Sequence, residues 1–118
     1  MLHDFLLGFI KIHILHHAAH EPVYGSALME ELSRHGYEIG PGTLYPILHS
    51  LMEQGYLERQ SRVVGGKVRK YYAITSRGRS ALDEARHKMR ELVDEVLQGH
   101  GPTSLPDPLD NDEEADQG

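Results

Sequence analysis

The 118-residue chain contains no cysteine. That absence excludes both a disulfide framework and a thiolate metal site, and it suits a reducing cytoplasm. No apolar run approaches the roughly eighteen residues of a membrane span. The opening Met1-Leu2-His3-Asp4 also lacks the basic start of a secretory signal. The expectation is a soluble, cytoplasmic protein with no membrane partner. Catalytic signatures are missing as well: no set of nucleophile, base and orienting group, no phosphate-cradling glycine loop and no paired carboxylates stand in a suitable context, so an enzyme is not expected. A chain of this length supports one domain with a modest core, and helices from a second subunit would help to bury its apolar surface.

Charge is plentiful but unevenly placed. Twelve Lys and Arg face eighteen Asp and Glu, for a net charge of −6. Six of the acids, Asp107, Asp110, Asp112, Glu113, Glu114 and Asp116, crowd the last dozen residues, so the body of the chain is neutral. Within that body, Arg59, Arg62, Lys67, Arg69, Lys70, Arg77 and Arg79 follow one another with no Asp or Glu between them. A phosphate backbone would meet this local field rather than the whole-chain charge.

Residues 2–19 read as a first helix. Leu2, Phe5, Leu6, Phe9, Ile10, Ile14 and Leu15 make it apolar over more than one face, which calls for burial against its own domain and against a second subunit. His13, His16, His17 and His20 crowd its end at offsets of three, four and seven residues. That spacing brings at least three imidazoles to one side, as ligands of Zn²⁺, Ni²⁺ or Cu²⁺ would require, with Asp4, Glu21 or a histidine of another subunit to complete the set. Solvated imidazoles also suit the negative C-terminal end of a helix, and the spacing leaves both readings open.

A second short helix is expected from about residue 25 to 34, carrying Leu28, Met29 and Leu32, with a bend at Gly36. A third follows over about 41–54. Pro41 suits its first turn, and Leu44, Ile47, Leu48 and Leu51 form an apolar stripe. Gly42, Tyr45, Pro46, His49, Ser50 and Glu53 lie on or near the other face, and Gly55 ends the helix as a C′ residue. Extended segments over 56–62 and 68–74 are joined by Gly65-Gly66, as a tight hairpin requires. Helix, turn, helix and hairpin is the order of a winged helix-turn-helix domain, whose second helix of the pair enters the major groove of double-stranded DNA.

Four blocks carry a resemblance: Pro22-Val23-Tyr24-Gly25, Pro41-Gly42-Thr43-Leu44-Tyr45-Pro46-Ile47-Leu48, Leu51-Met52-Glu53-Gln54-Gly55-Tyr56-Leu57, and Arg69-Lys70-Tyr71-Tyr72-Ala73-Ile74-Thr75 with Gly78 beyond. In this order and spacing, from roughly residue 5 to 97, the chain resembles the PadR family of bacterial transcriptional regulators. The resemblance implies that Tyr24 supplies a hydroxyl to a phosphate at the start of its helix. A ring packed between helices is the equal alternative. It also carries the Tyr45-Pro46 pair as tolerated helix geometry, although Pro46 removes a backbone hydrogen bond. Expected DNA contacts are Tyr24, Thr43, Tyr45, Pro46, His49 and Ser50, with Lys67, Arg69 and Lys70 on the wing. None of the helix residues is the arginine fork that reads guanine, so operator shape is expected to contribute to recognition.

Thr75 is placed to cap a last helix over 76–98, in which Leu82, Ala85, Met89, Leu92 and Val96 step by three and four, with Val93 broadening the seam. These residues, with Phe5 and Phe9, are the expected dimer interface, and a two-fold dimer predicts a palindromic operator. Residues 1–75 form the expected DNA-binding domain, 76–98 the dimerisation helix and 99–118 a disordered acidic tail. Ending after one such helix, the chain resembles the family's short subfamily. The resemblance further implies a repressor that needs no cofactor and is released by a small-molecule inducer; the missing tryptophan argues against ligands stacked between indoles. Two other readings remain: a metal-responsive regulator built on the histidine cluster, and a winged-helix module that binds a protein instead of DNA.

Overall fold

The computed structural model describes residues 2–99. The elements run α1 (Leu2–His20), β1 (Val23–Tyr24), α2 (Gly25–Arg34), α3 (Pro41–Glu53), β2 (Leu57–Val64), β3 (Lys67–Ile74) and α4 (Ser76–Leu92), followed by one π turn (Val93–Leu97). The winged helix-turn-helix order is therefore present. A third strand is added, because β1 pairs antiparallel with β3 to give a sheet ordered β1-β3-β2. The Glu21-Pro22-Val23 segment, which reads as a plain break, places Val23 opposite Tyr72 and Tyr24 opposite Tyr71.

Two glycines stop the helices of the pair in the same way. Gly36 (φ 86°) and Gly55 (φ 82°) adopt the left-handed conformation that favours glycine. At the end of α2, Gly36 N–H donates to the Ser33 carbonyl (3.0 Å) and Tyr37 N–H to that of Leu32 (2.9 Å). At the end of α3, Gly55 N–H donates to Met52 (2.9 Å) and Tyr56 N–H to Leu51 (2.9 Å). Each is a Schellman arrangement that satisfies carbonyls otherwise left open at a helix end. At the other end of α3, Pro41 occupies the first turn and the Gly40 carbonyl accepts from Thr43 and Leu44. No side chain caps this end.

Among the described residues, those up to Ala85 form one compact unit and those from Arg86 onward another. In the first unit the expected stripes converge: Ile10, Ile14, Leu15 and Ala18 of α1, Leu28 and Leu32 of α2, and Leu44, Ile47, Leu48 and Leu51 of α3 bury together with Leu57, Tyr72, Ile74 and Leu82. The boundary expected at residue 75 is thus displaced, since the first turns of α4 belong to this core. Gly78 lies against the Tyr56 carbonyl and Ile74, where a side chain would collide. Thr75 caps α4, its hydroxyl accepting from Gly78 N–H (3.0 Å) and donating to the Gly55 carbonyl (2.6 Å).

In the second unit the helix continues to Leu92 and then widens into the π turn, in which Gln98 N–H reaches back five residues to the Val93 carbonyl (3.1 Å). Val93 and Val96 lie within this π turn, whose wider winding departs from the 3.6-residue period, so the three-and-four stepping expected through Val96 does not persist as one straight seam. The acidic tail expected at 99–118 lies outside the described residues apart from Gly99. Among the described residues, no helix is long and apolar enough to cross a membrane.

Candidate nucleic-acid interface

The burial of α3 separates its two faces cleanly. Leu44, Ile47, Leu48 and Leu51 are inside, Thr43, Tyr45, Pro46 and His49 are exposed, and Ser50 is half-buried. The outward face offers hydroxyls and an imidazole but no cation of fixed charge. His49 Nε2 stands 2.6 Å from Glu53 Oε1, one helical turn away and in solvent, so it is already engaged when DNA is absent. Tyr45 leans back across the start of α2, where its hydroxyl occupies the space that a Cβ on Gly25 would need. The glycine of the Tyr24-Gly25 pair thus seats a ring belonging to α3.

The wing has a layered construction. Gly65 (φ 59°) and Gly66 (φ 79°) close a two-residue turn between Val64 and Lys67, and both positive angles are those of the tight hairpin turns that match strand twist. Along β3, Tyr72 and Ile74 face the core while Arg69 and Tyr71 share the other face. The register sets Tyr24 and Gln60 on either side of Tyr71, and Arg62 beside Arg69. On that face Arg69 lies 4.2 Å from the centre of the Tyr24 ring, Arg62 lies 4.6 Å from that of Tyr71, and the two rings meet edge to face at 5.3 Å. Each stacked guanidinium gains on the order of 0.5–1 kcal/mol at such solvent-accessible sites, and Arg62 also donates to Gln60 Oε1 (3.1 Å). Lys67 and Lys70 are both exposed, Lys67 on the face of this stack and Lys70 on the opposite one.

Sequence reasoning named Lys67, Arg69 and Lys70 on the wing, Tyr24 at the start of α2 and Arg62 only as part of the basic run, and it gave Tyr71 no part in the site. Strand alternation put Tyr71 on the face away from Tyr72, so half of the signal was legible. The other half, Tyr24 lying beside Tyr71, depends on β1 joining the sheet. Tyr24 precedes α2 in extended conformation without a side-chain capping bond, and its ring serves as the platform for Arg69.

The histidines assemble differently from the helical expectation. His13 and His17 of α1 meet His35, the C-cap residue of α2, with one nitrogen from each within 4.8 Å of the others. His16 and His20 are not in this group. His16 is exposed, and His20 Nδ1 donates to the His16 carbonyl (2.9 Å), closing the end of α1. The His13 ring stacks on His35 at 4.8 Å and meets Tyr37 edge-on at 5.4 Å. Burial, then the neighbouring His35 and His17 charges, hold the His13 imidazole below its ordinary pKa of 6.5, against an opposing pull from Glu31.

The expected dimer residues also divide. Phe5 and Phe9 are about half exposed, at 53% and 49%. In the second unit Leu92, Val93 and Val96 are exposed and Met89 is half-buried. Ala85 is half-buried, whereas Leu82 is a correction: at 2% exposure it fills its own core and offers no surface to a partner.

Residues 14–84 match the description "Transcriptional regulator PadR-like family". Transcriptional regulator Rv3488 of Mycobacterium tuberculosis is 48% identical over 103 residues, spanning 87% of this chain and 96% of that protein. A crystal structure of a PadR family transcriptional regulator from Eggerthella lenta superposes with a TM-score of 0.71 at 35% identity, covering 83% of this chain and 87% of that one. A PadR-like transcriptional regulator from Bacillus cereus does so with a TM-score of 0.70 at 31% identity, covering 81% and 98%. With its helix pair, its wing and these likenesses over most of its length, the chain belongs to the PadR-like family and is a DNA-binding transcriptional regulator, not an enzyme.

Proposed function

We propose that the protein is a homodimeric repressor of a palindromic operator. Regulators of this family bind DNA and are commonly dimeric, and they generally need no cofactor. In this reading Thr43, Tyr45, Pro46, His49 and Ser50 of α3 face the major groove, and Lys67, Arg69 and Lys70, with Arg62 added, engage the backbone or minor groove beside it. The observation that carries the reading is the wing face, where two arginines lie on two tyrosines, with Lys67 on the same face of β3 and no acid among the stacked residues. Phosphate contacts of this kind supply affinity and position, while the uncharged α3 face leaves much of the sequence preference to groove shape.

Pairing of two chains rests on Phe5 and Phe9 in the first unit and on Leu92, Val93 and Val96 in the second, all apolar and exposed. A small-molecule effector acts by favouring a dimer in which the two α3 helices no longer match successive major grooves. A cleft in the first unit bordered by Leu6, Leu7, Ile10, Tyr37 and Ile39 measures about 210 Å³. Pockets for drug-sized ligands measure roughly 300–1,000 Å³, so this cleft by itself is small for an organic effector of that size.

Fluorescence anisotropy with the protein's own promoter DNA, repeated across salt concentrations, tests the reading. Log affinity falls linearly with log salt, and Lys67→Ala, Arg69→Ala and Lys70→Ala each flatten the slope by about 0.9 for every phosphate contact removed. Failure to bind promoter DNA, or binding indifferent to salt and to these substitutions, refutes it and favours a module that recognises a protein.

A further inference from the structure

We propose that His13, His17 and His35 form a binding site for one divalent transition-metal ion per chain, and that the ion acts on operator binding through the turn before α3. His13 and His17 stand four residues apart on one face of α1, the spacing at which two helical imidazoles chelate one ion. His35 approaches from a different element, so the three nitrogens within 4.8 Å of one another converge from two sides. Nitrogens around a tetrahedral ion with bonds of 2.0–2.1 Å stand about 3.4 Å apart. Small side-chain rotations close that difference at rings that are half-buried or exposed. Three imidazoles are a donor set for Zn²⁺, Co²⁺, Ni²⁺ or Cu²⁺ rather than for Mg²⁺ or Ca²⁺, and three protein ligands leave a position open to water.

The surroundings fit a cation. Glu31 Oε1 lies 3.9 Å from His17 Nε2 and 3.6 Å from His35 Nε2, placing one carboxylate beside two of the three imidazoles. Such a carboxylate commonly orients metal-bound imidazoles through their second nitrogen and balances the charge. Glu31 is itself held by Arg34, 2.9 Å away.

The position of His35 gives the site a consequence for DNA binding. His35 is the C-cap residue directly after α2, Gly36 turns the chain, and α3 begins at Pro41. An ion held by all three histidines ties α1 to the turn that aims α3, and this link rests on reading α3 as the DNA-contacting helix.

The test uses the untagged full-length chain and Zn²⁺ alone, in competition with a chromophoric chelator and with no DNA present. One Zn²⁺ per chain is expected, with affinity falling at least tenfold in His13→Ala, His17→Ala and His35→Ala and unchanged in His16→Ala and His20→Ala. Absence of stoichiometric binding, or loss that follows His16 and spares His35, overturns the site. His35 is an exposed cap residue, and far-UV circular dichroism with His35→Gln as a second variant separates lost ligation from lost folding. Promoter anisotropy with chelator and then with Zn²⁺ reads the coupling: a change of at least threefold, abolished in His35→Ala, is expected. Zn²⁺ binding without any change in operator affinity overturns the coupling and leaves the site. Protein that fails to bind the promoter both with chelator and with Zn²⁺ refutes the proposed function without touching the Zn²⁺ stoichiometry.

Discussion

Replacing Gly78 by alanine sets two effects of comparable size against each other. In a helix interior alanine is favoured over glycine by about 1 kcal/mol, and less near the first turn, so propensity alone forecasts a stabilised protein. Geometry forecasts the opposite. A Cβ at Gly78 collides with the Tyr56 carbonyl oxygen and stands 2.7 Å from Ile74 Cγ1. The carbonyl is backbone and already accepts from Thr75 N–H at 3.1 Å, and Ile74 is buried, so neither is free to withdraw. Forcing an added methyl into packed surroundings costs about 1–3 kcal/mol. With the propensity gain subtracted, the net loss is on the order of 1–2 kcal/mol, or a fall in Tm of roughly 4–16 °C for a domain of this size. Urea unfolding followed by far-UV circular dichroism measures it, at one fixed chain concentration because a dimer's stability depends on concentration. Ser80→Ala, at an exposed position of the same helix, supplies the control and should gain a few tenths of a kcal/mol. If Gly78→Ala is as stable as Ser80→Ala, the close approach of α4 to the Tyr56 carbonyl is wrong.

Thr75→Val removes both the cap on α4 and the donor to the Gly55 carbonyl, for an expected loss of about 2 kcal/mol, whereas Thr75→Ser retains most of the stability; equal loss in both variants, read by the same urea titration, contradicts the hydroxyl's role. Gly25→Ala displaces the outer end of the Tyr45 ring, which is 43% exposed and can swing away, so stability changes little. Operator affinity falls by roughly tenfold if the Tyr45 hydroxyl makes a DNA hydrogen bond, and unchanged anisotropy removes Tyr45 from the interface. In chelator-treated protein, His13 has a folded pKa below 6.5, so its contribution to stability is complete above 6.5 and is lost as pH falls through the folded value. The slope of stability against pH is correspondingly shallower in His13→Gln, and an NMR titration placing the His13 ring at or above 6.5 contradicts the burial argument.

The legible features of this chain were those whose cause is local. Helical periodicity marked Leu44, Ile47, Leu48 and Leu51 as one buried face. Gly55 announced the end of α3, Gly65-Gly66 the hairpin, and Thr75 the start of α4, because a left-handed backbone or a capping hydroxyl acts within a few residues. The exposed side of α3 and the wing cations followed from the same alternation. With four spaced motif blocks, these were enough to identify the family.

What only the tertiary structure decided were meetings between residues far apart in the chain. Helical spacing made His13, His16, His17 and His20 equal candidates, and folding chose His13 and His17 by bringing His35 against them from the end of α2. A heptad pattern assigned Leu82 to a partner subunit, but the same apolar side chain satisfies the pattern by entering its own core. The arginine–tyrosine stack on the wing required β1 to join the sheet, a pairing that a two-residue strand cannot signal by itself. Periodicity records which side of an element is apolar. It does not record which surface the chain will fold against that side, because burial rewards any apolar neighbour and only the packed chain selects one.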